Sequence, residues 1–169
     1  IAARLGNIGF TVLPIINPKK QDFTDALKGF YELSRGSGLA LLYFSGHGVQ
    51  IGGENYLLPI DAPRSSHEWH VEQYGVPALP LIAQMKRHVR RLVVVLDACR
   101  ENPMPRATNK KTMMGIKGLS PIELPPADHS PTDDNGGTYV IYAAAPGEAA
   151  YDRLPGNDLV MTQELIANM

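Results

Sequence analysis

Apolar residues occur along the chain in two alternating patterns, short unbroken runs and runs at helical spacing. Leu39-Ala40-Leu41-Leu42-Tyr43-Phe44 is nearly all apolar, as expected of a central parallel strand covered on both faces. Leu92 to Leu96, ending in Asp97, repeats that pattern, and Tyr139 to Ala144 repeats it again. Phe10 to Ile15 is a shorter, partly β-branched run after Gly9 and is read as a further buried strand. Between these runs, Phe23, Ala26, Leu27, Phe30 and Leu33 recur at helical spacing and predict a helix from about Gln21 to Ser34. Leu81, Ile82, Met85 and Val89 predict a second between Pro77 and Val89, and Leu159 to Met169 a third. Strands alternating with helices imply an α/β sandwich with a mostly parallel sheet.

Breakers refine the picture. Asn17-Pro18 ends the first run, and Gly36 with Gly38 stops the helix that follows. After Gly46-His47-Gly48, read as a tight turn, Val49–Ile51 and Tyr56–Leu58 flank Gly52-Gly53 and predict a small β-hairpin. Pro63 to Gly75 is polar and shows no period. Asn102 to Gly137 holds six prolines and few sustained apolar patterns, so it is read as one long flexible connection, a kind that is usually functional. Ile1–Gly6 reads as the last turns of a helix, and the chain is expected to be a piece of a longer polypeptide.

Composition narrows the class. The chain has 169 residues, of which 44% are hydrophobic and 20% charged, values of a globular domain with a sizeable core. A net charge of -1 provides no global field to recruit nucleic acid or an anionic membrane, so neither is expected as a partner. One cysteine excludes an intrachain disulfide and suits a reducing, cytoplasmic setting. His67 and His70 are read as solvated, and no histidine spacing suggests a metal site.

That cysteine, Cys99, follows the strand-like run Leu92–Asp97, and His47 lies 52 residues upstream, directly after another such run. In open α/β sheets, sites form just beyond the carboxyl ends of strands. Thiol catalysis needs thiolate, and an ordinary cysteine with pKa of about 8.5 is mostly protonated at neutral pH. A neighbouring imidazole takes that proton and returns it to the leaving amine. Backbone N–H groups of Gly48 and Cys99 are candidate oxyanion donors. Alone, Cys99 could be a small buried hydrophobe and Gly-His-Gly an ordinary tight turn.

The two positions together fit the separation of about 50 residues between the histidine and cysteine of caspases. The chain resembles the caspase-like clan of cysteine peptidases, which includes metacaspases, paracaspases and bacterial caspase homologues. The resemblance rests on Tyr43-Phe44-Ser45-Gly46-His47-Gly48, Asn55-Tyr56-Leu57-Leu58-Pro59-Ile60-Asp61, Asp97-Ala98-Cys99-Arg100 and Tyr142-Ala143-Ala144-Ala145-Pro146-Gly147. It is most similar to the bacterial homologues. The resemblance implies a three-layer α/β/α caspase-like sandwich over 1–169, with the family's first strand before Ile1. It also implies a cysteine endopeptidase with Cys99 as nucleophile and His47 as base.

Two departures bear on specificity. Caspases hold a substrate aspartate with arginines and a glutamine two residues before the cysteine. Here Asp97 occupies that glutamine position, and Asp152 falls where caspases carry a pocket arginine. Two carboxylates call for a positive partner, and a guanidinium supplies charge-assisted hydrogen bonds. The expectation is cleavage after Arg, then Lys. Alternatively, Asp97 caps local backbone and Asp152 is a surface charge.

Arg106, Lys110, Lys111 and Lys117 cluster in the long connection, where an enzyme of that specificity could cut itself. A solvated basic loop is the other reading. No cofactor is expected; some metacaspases need calcium, but the spacing of Asp128, Asp133 and Asp134 matches no calcium loop. The partners expected are a protein or peptide substrate and further domains of the full-length polypeptide. The rival from another class is a catalytically silent scaffold of the same fold. A flavodoxin-like nucleotide-binding domain is disfavoured because no Gly-rich phosphate loop follows an early strand.

Overall fold

The computed structural model describes residues 1–63, 67–98, 119–122 and 136–143. After α1 (Ala2–Asn7) and α2 (Lys20–Ser34), the chain enters β1 (Leu39–Ile51) and turns back through β2 (Glu54–Leu58). Next come α3 (Glu68–Tyr74), β3 (Val76–Pro77), α4 (Ala78–Lys86), β4 (Arg91–Ala98) and β5 (Gly137–Tyr142). The sheet order is β3-β2-β1-β4-β5. The β1–β4 and β4–β5 ladders are parallel, and the shorter β1–β2 and β2–β3 ladders are antiparallel. The arrangement is the expected α/β fold, with the parallel strands β1, β4 and β5 on one side of the described sheet and the antiparallel β2 and β3 on the other.

The core follows from the apolar runs. Leu92, Val94 and Leu96 of β4 are fully buried with Ala40 of β1, and Phe23 and Leu27 of α2 and Ile82 and Met85 of α4 join the same cluster. The rings of Phe23 and Phe44 stack 5.8 Å apart at 8°, a geometry that adds about 0.5–1.5 kcal/mol to simple burial. Distant acidic residues cap two helices: the backbone N–H of Lys20 donates to Asp61 Oδ1 (2.9 Å), and that of Leu79 donates to Glu54 Oε1 (3.1 Å). Each carboxylate satisfies an otherwise orphaned first-turn donor and complements the helix dipole.

Three local expectations change. Phe10–Ile15 forms no strand; Leu13 and Ile15 are exposed, and a cavity of about 530 Å³ separates this segment from Leu41–His47 of β1. No described strand pairs with it, and a β-run without a ladder partner leaves its backbone polar groups unmatched. Ser45–Gly48 is not a turn but part of β1, which runs unbroken to Ile51. The polar stretch before Gly75 contains α3, which buries only Val71 and so carries almost no apolar period. The hairpin about Gly52 and Gly53 is present, both glycines at positive φ (57° and 90°), as a two-residue turn matched to strand twist requires.

Candidate active site

His47 lies where β1 exchanges one partner strand for another. Gly46 is its last residue paired with β4, opposite Ala98, and His47 is its first paired with β2, opposite Leu58. Ser45, Gly46 and His47 are exposed, whereas Gly48 and Val49 are buried. The imidazole is therefore carried at an open point of the sheet, at the carboxyl end of the parallel ladder.

Side chains alternate along a strand, so Tyr43, Ser45 and His47 share one face of β1. Parallel register places Ser45 opposite Asp97. The Tyr43 hydroxyl donates to Asp97 Oδ2 at 2.9 Å, which sets that carboxylate on the same face. Asp97 is 3% exposed. A buried carboxylate requires donors around it, and Tyr43 supplies one. Sequence reasoning misses Tyr43, although its i, i+2, i+4 relation to Ser45 and His47 is a signal that could have found it.

The cavity beside β1 reaches His47, Ser45 and Tyr43, but the rest of its described wall is mostly apolar, with Leu13, Phe23, Leu41 and Ile60 among its residues and Thr11 and Asn17 as its other polar members. No Asp, Glu, Lys or Arg is among its described lining residues, and Asp97 is not part of that wall. It is not an anionic pocket.

Cys99 follows Ala98 directly, and it lies outside the described residues, as do Asp152, Arg106, Lys110, Lys111, Lys117, Asp128, Asp133, Asp134 and the helix expected over Leu159–Met169. His67 and His70 are neighbours, their ring centroids 5.9 Å apart, and Trp69 lies against His70 at 3.5 Å. Among the described residues, no group of three or more His, Cys, Asp or Glu side chains could hold a metal ion. No described helix is long and apolar enough to cross a membrane.

A histidine at the carboxyl end of a parallel ladder, with a buried carboxylate on its face, suits a hydrolase built on an α/β sheet. The family model for the caspase domain of peptidase C14 matches residues 1–169, and the chain belongs to that family of cysteine peptidases. No curated protein matches the chain significantly.

Proposed function

We propose that this protein is a cysteine endopeptidase that cleaves after Arg and, second, after Lys, with Cys99 as nucleophile and His47 as proton shuttle. The observation that carries the reading is the Gly46–Ala98 pair of the parallel ladder, because the residue after each partner is one of the two proposed catalytic groups. His47 takes the thiol proton, and the thiolate attacks the scissile carbonyl, forming a C–S bond. The N–H groups of Gly48 and Cys99 hold the oxyanion. The C–N bond then breaks, and the imidazolium returns its proton to the departing amine. Water, deprotonated by His47, hydrolyses the thioester and restores the thiol. Besides the peptide, the reaction consumes one water.

Asp97 and Asp152 bind the basic side chain before the scissile bond. In support, Asp97 is a buried carboxylate on the His47 face of the sheet. An aspartyl substrate would bring a second negative charge to it, which like-charge repulsion disfavours. The same specificity makes Arg106, Lys110, Lys111 and Lys117 sites of self-cleavage, expected in the wild type and absent in Cys99→Ala by mass spectrometry.

The test is labelling by an arginyl peptide bearing a thiol-reactive group. Cys99 is expected to be modified, and His47→Ala to abolish the modification. Failure of the wild type to label would overturn the enzyme reading, and preferential hydrolysis after Asp would overturn the specificity.

A further inference from the structure

Leu119–Ile122 returns to the sheet and is fastened to three strands. Asn55 of β2 engages Ser120 from both sides: its Nδ2 donates to the Ser120 carbonyl at 2.7 Å, and its Oδ1 accepts from the Ser120 N–H at 3.0 Å. The side-chain amide thus pairs with one residue's backbone as a neighbouring strand would. Ser120 Oγ donates to Gln50 Oε1 (2.9 Å), and Gln50 is the residue opposite Asn55 in the β1–β2 ladder. Two residues on, the Ile122 N–H donates to the Tyr142 hydroxyl of β5 at 2.9 Å. The segment therefore bridges the β1–β2 hairpin and β5, which flank β4.

The consequence falls on Gly48. Leu119 is 1% exposed, and a Cβ added to Gly48 would meet its Cγ and both its methyl carbons at 2.8–2.9 Å. The leucine is seated directly on the glycine backbone, an approach open only to a residue without a side chain. Gly46 and Gly48 flank His47 and contribute no packing of their own. At a point where β1 also changes its partner strand, such a backbone has much conformational freedom to lose. The ladder with β2 restricts it through His47 and Gly48, and Leu119 packs on it from outside that ladder.

We propose that Asn55 and Leu119 are positioning residues of the active site: Asn55 clamps Ser120 and so seats Leu119 on Gly48, holding the backbone that carries the His47 imidazole. The role rests on the peptidase reading of His47 and Gly48. Asn55 itself is 2% exposed. Its two-sided bond requires the amide, because a carboxylate in its place could accept from the Ser120 N–H but not donate to the carbonyl.

Four variants test this in the full chain: Asn55→Ala, Leu119→Ala, Gly48→Ala and the double Gly48→Ala/Leu119→Ala. Amide hydrogen exchange at His47 and Gly48 is expected to quicken about tenfold or more in Asn55→Ala and Leu119→Ala, with Leu92–Leu96 unchanged, as in local opening. On an arginyl peptide, kcat is expected to fall about tenfold or more with KM nearly constant, since small misplacements of catalytic groups act on turnover. Gly48→Ala is expected to lose more, and the double variant to recover activity because the clash is gone. Unchanged exchange at His47 and Gly48 in both single variants, or a double variant no more active than Gly48→Ala, overturns the proposal. The exchange measurement needs no turnover, so an inactive wild type would defeat the peptidase reading while exchange still decides whether the clamp holds the His47 and Gly48 backbone. Leu119→Ala keeps the backbone bonds of the segment and decides the matter if Asn55→Ala fails to fold.

Discussion

The Tyr43 hydroxyl donates a 2.9 Å hydrogen bond to the carboxylate of Asp97, a residue 54 positions further along the chain. The parallel register of β1 and β4 creates that contact by placing both residues on one face. Phenylalanine at position 43 keeps the ring and removes the donor. A hydrogen bond to a charged group contributes about 1.5–3 kcal/mol, and Tyr43→Phe is expected to lose stability of that order. Urea denaturation measures it, and a loss within error would mean that Asp97 draws little from the tyrosine.

Asp97→Asn preserves shape and an oxygen that accepts from Tyr43, but removes the charge. If Asp97 receives the substrate's basic group, kcat/KM on arginyl peptides falls at least about a hundredfold, the scale expected when one member of a buried charge pair is lost. The ratio of arginyl to norleucyl hydrolysis reports this directly. An unchanged ratio would return Asp97 to a structural role.

Asp61 caps α2 from the far side of the hairpin through the Lys20 N–H. Asp61→Ala is expected to cost about 0.5–2 kcal/mol, as the loss of a helix cap usually does, with Asn restoring most of it. Thermal unfolding of the two variants side by side distinguishes a cap from an incidental surface charge.

Tyr56 has its pKa raised, first by burial and then by the negative charges of Glu72 and Glu54. A group whose pKa is higher in the folded state stabilises the fold fully below its unfolded value of about 10, and that contribution is lost as pH rises through the folded value. Stability should therefore decline above about pH 10, and Tyr56→Phe should flatten that part of the decline. Denaturation midpoints across the alkaline range show whether the two curves separate.

Much of the fold was legible in the chain because burial writes a local pattern. The all-apolar run Leu92–Leu96 could only be a covered strand, and Phe23 with Leu27 marked the inner face of α2. Gly52-Gly53 announced the hairpin because few other residues adopt positive φ twice in succession. Phe10–Ile15 misled for the reciprocal reason. Its pattern is strand-like, but a strand forms only where it pairs with another, and a cavity lies between this segment and β1.

For the site, sequence alone determined the residue types and their order: a histidine between two glycines, and an aspartate and a cysteine closing an apolar strand. It also determined the family resemblance that the caspase-domain match bears out. Tertiary structure decided that His47 lies within a continuous strand at its change of partner. It further decided that Tyr43 holds Asp97 and that Leu119 is seated on Gly48. These relations join residues tens of positions apart, and only strand register and packing bring them together. Local patterns record which residues are buried, but not which distant residue buries them.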